Sequence, residues 1–184
     1  MPTGLLRRRE DALSDAPPIL CIVGQKAVGK TTLIVRLVPE LQRRGLRVAT
    51  VKRPPHHFEF DQPGKDSRRH FEAGADATLL YGRGKMALVR RLEGEPPVEE
   101  LVAAHLTDCD LVLVEGHKRS ALPKLEVFRA GTHPRPLYDG QPEYLAIASD
   151  EALDLGIQWL DLDDPAPIAE FIARWMARQM RLEA

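Results

Sequence analysis

No stretch of this chain comes near the roughly 20 consecutive apolar residues of a membrane-crossing helix. Its first residues also lack the apolar core of a secretory signal peptide. Cysteine is nearly absent. Cys21 and Cys109 are the only two in 184 residues, each at or beside an apolar run, which predicts buried thiols in a reducing cytoplasm rather than a disulfide. Neither sign of charge is in surplus: 26 Lys and Arg against 27 Asp and Glu leave a net charge of −1. A protein that coats nucleic acid or lies on an anionic membrane needs a basic excess, so both partner classes are excluded. Internal repeats and low-complexity blocks are missing too. What remains, 43% hydrophobic and 29% charged residues, is the profile of a soluble globular protein, long enough for one domain with a sizeable core.

Residues 1–17 read as a flexible tail, with Arg7-Arg8-Arg9-Glu10-Asp11 in it and Pro17-Pro18 at its end. One domain is expected over residues 18–184. From Ile19 onward, short apolar runs alternate with amphipathic stretches. Strands are predicted at residues 19–23, 48–51, 78–81, 86–89, 111–114, 125–128, 144–148 and 157–160. A helix is predicted over residues 30–44, with Leu33, Leu37 and Leu41 on one face and Gly45 as its stop. Pro39 is an awkward presence inside it. Shorter helices are predicted from Asp66, as a cap, to Gly74 and over residues 97–106. A final one follows the cap Asp164 and Pro165, with an apolar stripe of Ile168, Phe171, Ile172, Trp175 and Met176. This alternation predicts an α/β fold with a largely parallel sheet and helices on both faces.

The strongest chemical signal is Gly24-Gln25-Lys26-Ala27-Val28-Gly29-Lys30-Thr31, which fits G-x-x-x-x-G-K-[ST] in full. A chance match in a chain this long is improbable, about one in a few hundred from average residue usage. A buried strand precedes the loop and an amphipathic helix follows it, as this phosphate-binding motif requires. Glycines let the backbone approach a ligand closely. Loop N–H groups and the helix N-terminus then supply donors and partial positive charge to phosphates. Lys30 is expected on the β- and γ-phosphates, and the Thr31 hydroxyl on Mg²⁺.

An acidic partner for the metal is expected at Glu115, which ends the apolar run Leu111-Val112-Leu113-Val114. Ligands in an open α/β sheet sit at the carboxyl ends of strands, and Gly116 permits a tight turn there. The segment after the second strand carries His56, His57, Asp61, Lys65, Asp66 and Ser67. Two adjacent histidines do not make a zinc site; Asp66 is the candidate for Mg²⁺, with a helix cap as its alternative role.

Four stretches together resemble the MobB family, the molybdopterin-guanine dinucleotide biosynthesis proteins B. They are the loop from Gly24 through Thr31 with Thr32-Leu33; Thr50-Val51-Lys52; Asp61-Gln62-Pro63-Gly64-Lys65-Asp66-Ser67 with Ala73-Gly74-Ala75; and Asp110-Leu111-Val112-Leu113-Val114-Glu115-Gly116-His117-Lys118. With Ala148-Ser149-Asp150, the likeness spans roughly residues 19–180. It implies a P-loop, G-protein-like fold and a homodimer that binds GTP and Mg²⁺ with weak GTPase activity. It also implies action beside a MobA-like guanylyltransferase that attaches GMP to molybdenum cofactor, with molybdopterin as a second candidate ligand. On that reading the nucleotide contacts are Gly24 through Thr32, Lys52, Ser149 and Asp150. The metal is held by Thr31, Asp66 and Glu115, and Lys30 and Glu115 act on the phosphates. The chain departs from the family at Arg53, where a histidine is usual; His56 and His57 are the nearby substitutes. Asp150 is the expected guanine reader, since a carboxylate can accept from both N1–H and the exocyclic amine; its alternative role is a cap of residues 151–155. A small-molecule kinase and a metal-delivery GTPase are the competing readings. The arginine pairs Arg68-Arg69 and Arg90-Arg91 are the only support for the first, and His56-His57 for the second.

Overall fold

The structure, a computed structural model, describes residues 16–54 and 64–182. Nearly all of the N-terminal tail, His56, His57 and Asp61 lie outside the described residues. In chain order the elements are β1 (Ile19–Val23), α1 (Lys30–Gln42), β2 (Val48–Lys52), α2 (Asp66–Glu72), β3 (Ala77–Gly82), β4 (Lys85–Arg90), α3 (Val98–His105), β5 (Leu111–Glu115), β6 (Lys124–Phe128), β7 (Tyr144–Ser149), β8 (Gln158–Asp161) and α4 (Pro165–Leu182). The described residues fall into two compact units, one up to residue 53 with those from 99 onward and one of those between 54 and 98.

The larger unit is a six-stranded sheet in the order β2-β5-β1-β6-β7-β8, parallel at every pairing. β2 and β5 lie to one side of β1, and β6, β7 and β8 to the other. The loop leaving β1 therefore opens where successive connections depart in opposite directions, the usual ligand crevice of such sheets. Leu20, Ile22, Leu111, Leu113, Leu125 and Val127 share one core with Leu33, Leu37 and Leu41 of α1 and Ile168 and Ile172 of α4. The intervening Cys21, Val112, Val114 and Ile147 are buried as well, so unbroken apolar runs mark strands covered on both faces, as predicted. Each such leucine contributes about 1.5–3 kcal/mol by leaving water.

Local signals explain most element ends. Asp164 caps α4 through a bond from Ala166 N–H at 3.1 Å, with Pro165 as the first helical residue. α1 stops at Gln42, two residues short of the prediction, and Gly45 turns the chain with φ +83°. Pro39 sits inside α1 without ending it. The carbonyl it leaves without a helical donor belongs to Val35, a residue exposed to water. The cap predicted at Asp66 is corrected: Lys65 is the N-cap and Asp66 is already helical. Cys109 is only half-buried, unlike Cys21, and both thiols are free.

In the smaller unit β3 and β4 form a separate antiparallel hairpin. Its two-residue turn, Arg83-Gly84, has φ +48° and +76°, the positive pair that a type I′ turn needs. Arg91 ties hairpin to helix. Its guanidinium lies 4.3 Å from the Phe71 ring centre and donates to the carbonyls of Phe71 and, at 3.2 Å, Ala75. Register pairs Leu79 with Leu88 and Tyr81 with Met86, and all four are exposed.

Candidate nucleotide-binding site

β1 delivers the chain straight into the glycine loop. A Cβ on Gly24 would stand 2.3 Å from the Val127 carbonyl oxygen of β6, and φ there is +143°. Only glycine lets the loop start this close to its neighbour strand. Ala27 holds φ +65°, a conformation rare outside glycine, and Gly29 enters α1 at φ +99°. Lys30 folds back on the loop, its Nζ donating to the Gly24 carbonyl at 3.2 Å and the Gln25 carbonyl at 2.5 Å. Burial pushes its pKa down, against the pull of Glu115 and with the push of Lys118 and Lys52. Its charge is thus held at the loop on weak backbone acceptors, ready for a stronger anion.

The end of β5 meets the start of α1. The Thr31 hydroxyl donates to Glu115 Oε2 at 2.9 Å, and Lys52, at the end of β2, places Nζ 3.0 Å from Glu115 Oε1. The parallel pairing that sets Lys52 opposite Glu115 and Ile22 opposite Glu115 makes this meeting possible. Hydroxyl and carboxylate oxygens side by side are the hard donors that suit Mg²⁺, and Lys52 already supplies the positive charge Glu115 seeks. Asp66 lies in the other unit, exposed and 3.6 Å from Arg69.

Three charged residues of β6 and the loop after it were not anticipated. Glu126 is buried in the sheet and accepts from the Leu137 N–H at 2.6 Å and the Tyr138 N–H at 2.9 Å. Burial raises its pKa, and those two bonds oppose the rise. Lys124, also buried, donates to the Ser120 carbonyl at 2.5 Å and the Leu122 carbonyl at 3.1 Å, which fixes the turn after Glu115. Arg129 donates to Asp150 Oδ2 at 3.1 Å while the Ala130 N–H reaches Oδ1 at 2.9 Å. Asp150 does stand at the carboxyl end of β7, with both oxygens engaged. Ser149 is wholly buried, and its hydroxyl accepts from the Trp159 indole N–H at 3.0 Å, so its side chain serves the sheet. The signal for Glu126 and Lys124 was there: two charges inside the apolar strand Lys124-Leu125-Glu126-Val127-Phe128, which are tolerated only when bonded.

The family described as MobB, molybdopterin guanine dinucleotide synthesis protein B, matches residues 19–150. The chain belongs to the MobB family. It is 34% identical over 168 residues to the molybdopterin-guanine dinucleotide biosynthesis adapter protein of Escherichia coli (strain K12), covering 88% of this chain and 95% of that one. The Haemophilus influenzae protein of the same name is 38% identical over 164 residues, covering 86% and 89%. Among solved structures, a molybdopterin-guanine biosynthesis protein B superposes with TM-score 0.69 at 33% identity, covering 86% of this chain and 99% of that chain. A MobB homologue from Bacillus stearothermophilus superposes with TM-score 0.61 at 26% identity, covering 87% and 98%. The parallel sheet with its phosphate-loop crevice is thus the P-loop fold of MobB proteins, and the span matched by the family contains Gly24 through Thr32, Lys52, Glu115, Glu126 and Asp150.

Proposed function

We propose that this MobB-family chain is a GTP-binding adapter of molybdopterin guanine dinucleotide synthesis, working in the cytoplasm beside a MobA-like guanylyltransferase. The observation that carries the reading is the Gly24–Thr31 loop set between β1 and α1, with the Thr31 hydroxyl 2.9 Å from Glu115. The β- and γ-phosphates of GTP take the place of the Gly24 and Gln25 carbonyls as partners of Lys30, exchanging neutral acceptors for charged ones. Mg²⁺ is held by Thr31 and Glu115 and neutralises phosphate charge. Lys52, paired with Glu115 at 3.0 Å, holds the carboxylate in place. Asp150 reads guanine by giving up Arg129 for N1–H and the exocyclic amine; adenine, lacking N1–H, leaves the carboxylate partly unpaired.

Hydrolysis is slow on this reading. The glutamine of the loop, Gln25, donates its side-chain amide to the Arg135 carbonyl at 2.8 Å instead of orienting water, and a well-placed glutamine or arginine finger is worth about 10³–10⁵ in rate. The adapter name of the relatives supports a partner enzyme, with molybdopterin the second ligand to try. The exposed Leu79, Tyr81, Met86 and Leu88 face supports a homodimer, because a two-fold interface uses the same patch on both copies.

Calorimetric titration of GTP, ATP and XTP with Mg²⁺ tests the central claim. GTP is expected to bind best, and Asp150→Asn to lose about thirtyfold for GTP, roughly 2 kcal/mol. Preference for ATP points to a kinase instead, and an unchanged preference in Asp150→Asn moves the base pocket elsewhere.

A further inference from the structure

The loop from Arg129 to Tyr138 is fixed at both ends. At its start Asp150 accepts from Arg129 and from the Ala130 N–H; at its end the buried Glu126 accepts from the N–H groups of Leu137 and Tyr138. Thr132 Oγ1 closes a turn on the Arg129 carbonyl at 2.6 Å. A carboxylate buried in a parallel sheet is costly unless bonded, so Glu126 marks a segment whose position matters. Between those anchors the strap touches the phosphate loop twice. His133 Nε2 lies 2.8 Å from the Lys26 carbonyl, and the Arg135 carbonyl accepts from Gln25 at 2.8 Å.

The His133 contact has a definite sense. A carbonyl only accepts, so His133 Nε2 carries the hydrogen and donates. The described peptide bonds are all trans, and across a trans peptide the carbonyl and the following N–H point in opposite directions. Drawing the Lys26 carbonyl toward the strap therefore turns the Ala27 N–H away from it. Ala27 itself sits at φ +65°, a left-handed conformation that is unfavourable for a non-glycine residue and persists only where the surroundings enforce it. Successive residues of opposite handedness also aim their N–H groups into one anion-binding hollow.

We infer that His133 is a positioning residue of the phosphate site: it pins the Lys26–Ala27 peptide from outside so that the Ala27 N–H faces the nucleotide phosphates. This rests on the GTP-binding reading and adds to it a residue that lies over 100 positions from the loop in sequence. The strap's anchoring at Glu126 ties the shape of the phosphate loop to the middle of β6.

The test is calorimetric titration of GTP with Mg²⁺ into the full chain as wild type, Lys30→Ala, His133→Ala and His133→Gln, with amide hydrogen exchange of residues 25–29 in nucleotide-free protein. His133→Ala is expected to weaken GTP about tenfold, the worth of one hydrogen bond near the top of its usual range, and to speed exchange in the loop. Glutamine keeps an N–H donor, so His133→Gln is expected within about threefold of wild type. Wild-type affinity and exchange in His133→Ala, while Lys30→Ala abolishes binding, overturn this inference and leave the nucleotide site intact. Equal losses in the alanine and glutamine variants overturn it too, since a merely space-filling histidine gives that result. Absence of GTP binding by the wild type overturns the proposed function, and the phosphate role of His133 with it.

Discussion

In the parallel-sheet unit Leu20, Ile22, Leu113 and Leu125 are wholly out of water, while in the hairpin unit Leu79, Tyr81 and Met86 are 54%, 85% and 69% exposed. Both units are rich in apolar strand formers, so composition does not separate them. Pairing does. Every strand of the first has a parallel neighbour, and Lys52 and Glu115 stand at strand ends where they build a site. The hairpin has one partner strand and one short helix, α2, with no buried side chain. Two strands alone are at best marginally stable in water. Their order here comes from the type I′ turn and from Arg91 on Phe71, and an apolar face left in water is the mark of a binding surface.

The largest effect expected from this contrast is in stability. Leu113→Ala, at a site with no exposure, should cost about 2–5 kcal/mol. Leu79→Ala should shift urea unfolding of the monomer by no more than about 0.5 kcal/mol. Leu79→Ala and Tyr81→Ala should instead weaken self-association, read by light scattering against concentration. A loss at Leu79 as large as that at Leu113 would mean that the hairpin face is packed in solution and the contrast is wrong.

Glycine separates the units by a smaller margin. Gly24→Ala drives a methyl against the Val127 carbonyl, a clash with backbone that cannot be relieved by a rotamer, and should cost roughly 1–3 kcal/mol together with GTP binding. Gly84→Ala meets nothing within 4 Å and carries only the strain of φ +76°, about 1–2 kcal/mol at most. Thermal melts of the two variants rank them; Gly84 as the costlier site would place the tight contact in the hairpin.

How much of this was legible beforehand follows the same division. The strands of the first unit were read almost to the residue because runs such as Leu111-Val112-Leu113-Val114 have no other place than a doubly covered sheet. The glycine loop was legible because its spacing is set by phosphate geometry rather than by tertiary packing. The hairpin strands were found too, but periodicity identifies a strand and not the sheet it joins. Asp66 was misread as a cap because a cap is defined by backbone angles one residue earlier, at Lys65. The expected nucleotide contact at Ser149 comes with the family likeness, and nothing local in the sequence signals that its hydroxyl also accepts from Trp159. His133 escaped notice because its meaning lies in a contact 107 residues away.

The smallest effect expected concerns protons at the loop itself. Burial lowers the pKa of Lys30 from its usual 10.5, with Lys118 and Lys52 adding to the burial effect and Glu115 opposing it. Between that lowered value and 10.5 the unfolded chain holds a proton that the native, nucleotide-free chain has released. Stability linked to Lys30 therefore rises with pH across this window. A phosphate anion reverses the preference, because an opposite charge within reach favours the ammonium form. Binding of GTP should thus take up a fraction of a proton at Lys30 in the alkaline range, and less as pH falls below the lowered pKa. Affinity should fall as pH rises through the lowered pKa. Titrations at pH 7 and pH 9.5, each in two buffers of different ionisation enthalpy, count the protons directly. A Lys30→Arg variant, permanently charged, should keep binding and lose the uptake. If uptake at pH 9.5 is the same in that variant, the proton goes to another group, and Lys30 is not the residue that trades backbone carbonyls for phosphate.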